Sequence, residues 1–172
     1  MGNIFARRGE YEQARAFSRI GIEASKELKD QHNLERFYGA IAFTYMRQGV
    51  YEEAYPLMIK TLEIALEKQD TAYQAWALNG LGGSADALGK VDSSLSYRKR
   101  SLDLAVAAKD ELKITGGLCN LGNWYFNRGK LDVAMDYYQK ALVRAEAGWE
   151  GNYKMTEFYG TILRCIAGVY GE

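Results

Sequence analysis

The sequence predicts an all-α array of antiparallel helix pairs, and three observations in its 172 residues predict it. The first is a period of forty: Gly9, Gly49, Gly89 and Gly129 keep that spacing without a slip, as do Asp30, Asp70 and Asp110. Two more columns share the register, Ala14, Ala54, Ser94 and Ala134 in one, and Ile22, Leu62, Leu102 and Leu142 in the other. The second is that apolar residues within a unit stand three and four apart, the spacing that lines one face of an α-helix. The third is that Pro56 is the sole proline, which suits long helices better than β-turns. A fixed period of this kind marks a stacked repeat architecture.

The units follow in order. The first, 1–30, carries Gly2-x2-Phe5, Gly9 and Ala14, with its first helix truncated at Met1. The second, 31–70, reads Tyr38-x2-Ile41-Ala42-x2-Tyr45, then Gly49 and Ala54. The third, 71–110, reads Leu78-x2-Leu81-Gly82-x2-Ala85, then Gly89 and Ser94. In the fourth, 111–150, Leu118, Leu121, Gly122 and Tyr125 share one helix face. Arg128-Gly129-Lys130 ends that helix, glycine being the residue that accepts left-handed geometry at a helix stop. Leu131, Ala134, Tyr138, Ala141, Leu142 and Ala145 then form a second amphipathic series. Gly122 and Ala134 fall where the two helices should cross, and a larger side chain there would hold the backbones apart. The fifth unit, 151–172, is a lone first helix, Leu163-x2-Ile166-Ala167-x2-Tyr170, shifted by about five residues through the linker at 147–153. A half helix at one end and a lone helix at the other give the expectation of a piece of a longer protein.

Leu118-x2-Leu121-Gly122-x2-Tyr125 followed by Ala134-x3-Tyr138 resembles the tetratricopeptide repeat pattern, with Leu118 in place of its tryptophan. The resemblance covers nearly the whole chain as a single domain. The units depart from the common length of about 34 and lack its closing proline. The six extra residues would lengthen the helices by roughly 9 Å. Forty-residue units bearing Leu121-Gly122-Asn123 and Met1-Gly2-Asn3 are similar to the Leu-Gly-Asn repeat scaffolds and to repeat segments of bacterial regulators.

The resemblance implies a right-handed superhelical solenoid whose concave groove is lined by the first helix of each pair. It also implies a non-enzymatic module that binds a protein or peptide segment there. Carried onto this sequence, the family's groove positions are Asn3, Arg7, Arg36, Phe43, Arg47, Trp76, Asn79, Asn123, Phe126, Asn127 and Arg164. Arginines there can grip carboxylates through forked hydrogen bonds, and asparagines can both donate to and accept from a peptide backbone. Phe43, Trp76 and Phe126 would serve as apolar anchors, so the expected ligand is a peptide bearing acidic groups. Two alternatives stand beside this. One is a homodimer formed through exposed terminal helices, with Phe158, Ile162, Ile166 and Val169 as the apolar face. The other is a regulatory segment of a larger signalling or transcription-regulating protein.

Composition narrows the field further. Lys and Arg together number 22 and Asp and Glu 22, so no net field draws the chain to nucleic acid or an anionic membrane. No apolar run of about 18 residues and no secretory leader pattern stands in the sequence, and the expected setting is cytoplasmic. The opening MGNIFA resembles a myristoylation signal but has Ala6 where Ser or Thr is required. Gly80-Leu81-Gly82-Gly83-Ser84-Ala85 spells a dinucleotide fingerprint, yet that motif works only at a strand-to-helix turn, and here the flanking spacing is helical. Gly83 to Lys90 imitates a P-loop with one residue too many and Val91 in place of Ser or Thr. His32 has no partner at ligand spacing, and Cys119 and Cys165 have neither zinc nor redox spacing. No catalytic residue, metal or cofactor is expected.

Overall fold

The computed structural model describes residues 10–28, 33–148 and 153–171, and α-helices are the only regular elements among them. In chain order these are α1 (Tyr11–Glu27), α2 (Leu34–Arg47), α3 (Tyr51–Glu67), α4 (Thr71–Ala87), α5 (Val91–Ala107), α6 (Glu111–Phe126), α7 (Leu131–Ala147) and α8 (Tyr153–Tyr170). The pairs α2/α3, α4/α5 and α6/α7 are the second, third and fourth sequence units. The second helix of the first unit is α1, and α8 stands where a fifth unit begins.

Turn chemistry recurs with the period. Gly49, Gly89 and Gly129 close the first helix of their pairs with φ of 76°, 70° and 67°, a left-handed conformation that a Cβ would strain. The return turns are built differently. Gln69 and Lys109 take φ of 56° and 53° without being glycine. The next residue in each case, Asp70 or Asp110, caps the following helix. Its carboxylate accepts from the backbone N–H of Tyr73 at 3.0 Å and of Lys113 at 3.1 Å, satisfying a donor left open at a helix start.

The small-residue column marks the helix crossings. Ala14 is 1% exposed, and Ala54, Ser94 and Ala134 are 0% exposed. A Cβ on Gly122 would stand 2.5 Å from Cε1 of Tyr138, so the glycine makes room for the tyrosine ring of α7. In the third pair the Ser94 hydroxyl donates to the carbonyl of Gly82 at 2.8 Å, which places α5 against the backbone of α4.

The chain divides after Tyr97, within α5, into two compact units. In the first, α2 packs on α1 and α3, and α4 packs on α3. Its core includes Ala42, Met58, Ala65, Leu78 and Leu81. In the second, α6, α7 and α8 enclose Ile114, Leu118, Ala134, Tyr138, Ala141 and Ile162. This corrects the expected dimer face on the last helix. Ile162 is fully buried, and Phe158, Ile166 and Val169 pack half-buried against the same core. The exposed apolar residues of α8 are instead Leu163 and Tyr170.

Among the described residues of the first unit, two charges are buried. Arg15 of α1 is 3% exposed. It bonds Thr44 Oγ1 at 3.2 Å and Gln48 Oε1 at 2.5 Å, pairs with Glu12, and lies over the Tyr45 ring at 4.5 Å. Glu35, at the start of α2, is 1% exposed and pairs with Lys68 at the end of α3. Arg144 and Glu111 join α7 to α6 in the second unit at 2.6 Å, but both are well exposed. Removing one partner of a buried pair strands its charge, whereas a solvated pair is nearly neutral. Lys68→Met should therefore cost about 3 kcal/mol and Glu111→Ala less than about 1 kcal/mol, read as the change in urea midpoint for each variant.

Candidate functional site

The groove positions fall differently in the two units. Asn3 and Arg7, together with His32, lie outside the described residues. On α2, Arg36, Phe43 and Arg47 are seven and eleven residues apart, which at 100° per residue sets them within about 40° of one another. They form one stripe. Arg36 and Arg47 are exposed and make no ion pair among the described residues, and Phe43 is half-buried.

Trp76 of α4 joins this stripe. A Cβ on Gly39 would fall 2.6 Å from Cζ3 of Trp76, so the indole lies directly over the bare backbone of α2 at its edge. Its other edge meets Tyr73 in a tilted ring pair at 6.1 Å, and 38% of the residue remains exposed. One turn further Asn79 is exposed, and a turn beyond it a Cβ at Gly83 would meet nothing within 4 Å. The first unit thus brings Arg36, Phe43, Arg47, Trp76 and Asn79 onto neighbouring faces of α2 and α4, bordered by open space.

In the second unit Asn123 is exposed, yet its side chain is engaged. Oδ1 accepts a hydrogen bond from Tyr138 Oη of α7 at 2.7 Å and another from Cys165 Sγ of α8 at 3.6 Å. One oxygen thereby ties three helices, and only the amide nitrogen of Asn123 is left for a ligand. Phe126 packs half-buried against the core, with its Cζ 4.0 Å from a Cβ placed on Gly168. Asn127 is the exposed C-cap of α6. Arg164 is exposed and donates to Thr161 Oγ1 at 3.3 Å on its own helix; the neighbour of Asn123 from α8 is Cys165.

Burial dominates the titration of this cluster. Desolvation first, and then the nearby Cys165, push the Cys119 thiol up to about 12. The same two causes in the same order raise Tyr138 above the ordinary phenol range. Both groups are neutral at physiological pH and serve packing. The glycine-rich stretch from Gly80 lies wholly inside α4, where Gly80 faces Met58 and the Gly82 carbonyl accepts from Ser94. There is no strand-to-helix turn there to hold a pyrophosphate. Among the described residues no three His, Cys, Asp or Glu side chains cluster as metal ligands, and no helix is long and apolar enough to cross a membrane.

Two models described as tetratricopeptide repeat match, one over residues 33–107 and one over 116–147. The chain belongs to the tetratricopeptide repeat family. Its matches begin and end within a few residues of the helix pairs seen here. Protein FLUORESCENT IN BLUE LIGHT, chloroplastic, from Arabidopsis thaliana is 26% identical over 103 residues, covering 60% of this chain and 33% of that protein. The chain thus matches only about a third of the length of that curated relative. Among solved structures, BtubC (BKLC) from P. vanneervenii has a TM-score of 0.80 at 19% identity, over 98% of this chain and 75% of that one. The apo form of RapI has a TM-score of 0.82 at 18% identity, over 99% of this chain and 46% of that one. At these identities the likeness is one of fold. Tetratricopeptide repeats are in general non-catalytic scaffolds, and membership supports a protein-interaction module.

Reasoning from sequence missed the buried Arg15 and Glu35 and the double acceptor role of Asn123. A signal existed for the first: Arg15, Ser18, Ile22 and Ser25 share one helical face, and all are buried. Asn123→Ala should cost about 1–3 kcal/mol, because the Tyr138 hydroxyl is left buried without its acceptor. Adding Tyr138→Phe should recover most of that loss in a urea double-mutant cycle. Since the thiolate is the reactive form, Cys119 should resist iodoacetamide at about pH 8 in the native protein and label fully in denaturant, as read by peptide mass spectrometry.

Proposed function

We propose that this chain is a non-enzymatic interaction module whose first unit binds a peptide segment bearing acidic groups across the stripe of α2 and the adjoining face of α4. The observation that carries the reading is Trp76 seated over Gly39 beside two exposed guanidinium groups that have no ion pair among the described residues. An aromatic anchor between forked cationic donors suits an extended acidic peptide.

Spacing sharpens the ligand. Arg36 and Arg47 are eleven residues apart on one helix, about 16 Å along its axis. An extended peptide advances about 3.3 Å per residue, so two acidic side chains about five residues apart would meet both arginines. An apolar side chain between them would rest on Trp76 and Phe43.

In the second unit the corresponding face is Asn123, Phe126, Asn127 and Arg164. There Asn123 contributes its amide nitrogen only, which makes it a poor residue with which to test binding. Homodimerisation through α8 is a second reading, supported by the exposed Leu163 and Tyr170. A monomer by light scattering at high micromolar concentration would dismiss it. The two free thiols agree with a reducing, cytoplasmic setting.

The main reading is tested with fluorescein-labelled peptides carrying two Asp residues five apart around a central Leu or Phe, measured by fluorescence anisotropy. Arg36→Glu with Arg47→Glu should weaken binding at least about tenfold, and added salt should weaken wild-type binding. Failure of every such peptide to bind the wild-type chain would remove the proposal.

A further inference from the structure

A cleft lies on the side of α2 opposite the arginine stripe. Tyr38, Ile41 and Tyr45 are three and seven residues along one face, rotated about 180° from the Arg36, Phe43 and Arg47 stripe. They floor a cleft of about 400 Å³ between α1 and α3, which both pack on α2. Ile22 and Leu57 supply apolar walls. The volume falls at the lower end of the range for ligand pockets, enough for one large side chain and its neighbours.

Four polar side chains of this cleft have no polar partner among the described residues. Arg19 on the α1 wall and Glu53 on the α3 wall are both exposed and make no ion pair among the described residues. The hydroxyls of Tyr38 and Tyr45 make no hydrogen bond among those residues either, although both tyrosines are half-buried. Lys26 and Glu23 also line the α1 wall and neutralise each other at 2.9 Å, which leaves Arg19 as its unpaired charge. The only proline of the chain, Pro56, also lines the α3 wall inside the helix. The α1 wall therefore offers an unpaired cation and the α3 wall an unpaired anion, with an apolar floor and two phenol hydroxyls between them.

We infer that the cleft between α1 and α3 docks a partner peptide segment in which a large apolar residue sits between an acidic and a basic side chain. The acidic group pairs with Arg19, the basic group with Glu53, and the apolar side chain covers Ile41 and Leu57. Charge complementarity selects this occupant: a purely apolar segment would strand both charges, and a uniformly acidic one would meet Glu53. The site is separate from the α2–α4 face, so either can fail without the other.

The test is a selection of random phage-displayed dodecapeptides on the full chain carrying Arg36→Glu and Arg47→Glu, which silences the other face. Enriched peptides should show an apolar residue flanked by opposite charges, and their binding should fall about tenfold with Arg19→Glu. Exchanging the peptide's acid for Lys should restore binding to that variant, and the mirror exchange should rescue Glu53→Lys. Both positions are exposed, and circular dichroism checks that each variant keeps its helices. The inference is overturned if no peptide is enriched, if enriched peptides bind Arg19→Glu and Glu53→Lys as they bind the parent, or if the charge exchange fails to rescue.

Discussion

Everything in this fold depends on how closely the two helices of a pair can approach. A helix pair with ordinary side chains at its crossing stands too far apart for the carbonyl of Gly82 to reach a side chain as short as Ser94, yet that bond is 2.8 Å long. In the fourth pair the same closeness is set by Gly122, whose missing Cβ is occupied by the ring of Tyr138. Once the crossing is tight, the apolar stripes on either side meet at van der Waals distance, and the turn lengths have to follow. The left-handed glycines and aspartate caps then hold a geometry that the small residues have made available.

That dependence explains what could be read from the sequence. A small residue at a crossing, a glycine at a stop and an aspartate at a start are each dictated by local chemistry, so a column of them declares itself without knowledge of neighbours. The pairs α2/α3, α4/α5 and α6/α7 were legible for that reason. Which polar groups sink into the interior was less so, because a period assigns a residue to a face but not to what covers that face. Arg15 lies in phase with Ser18 and Ile22 and is buried because Thr44, Gln48 and Tyr45 of the next helix receive it. Ile162 falls on an outward face when its helix is considered alone, whereas α6 and α7 enclose it. Asn123 was legible as an exposed polar residue and not as an acceptor, since its donors stand 15 and 42 residues away.

The same limit bears on the surfaces. The arginine stripe of α2 follows from the family's groove positions, and the fold adds Trp76 lying over Gly39. The cleft on the reverse side has no pattern along the chain, because Arg19, Tyr45 and Glu53 come from three helices. A helix paired on both flanks keeps two narrow outward strips, and α2 carries chemistry on both. Its buried Glu35, paired with Lys68, fixes the first turn between them.

The aspartate caps also bear on how such a chain can grow. Asp70 and Asp110 open successive units with the same side-chain bond, each preceded by a residue in the same left-handed conformation. A stretch of gene copied from one of these codons to the next would begin and end on the same turn, and the inserted helices would enter in the orientation of those they displace. Tandem duplication is thus structurally silent at these two seams, whereas a break within a helix would shift every crossing after it. The capped turns that open these units are also the joints at which the gene can be lengthened.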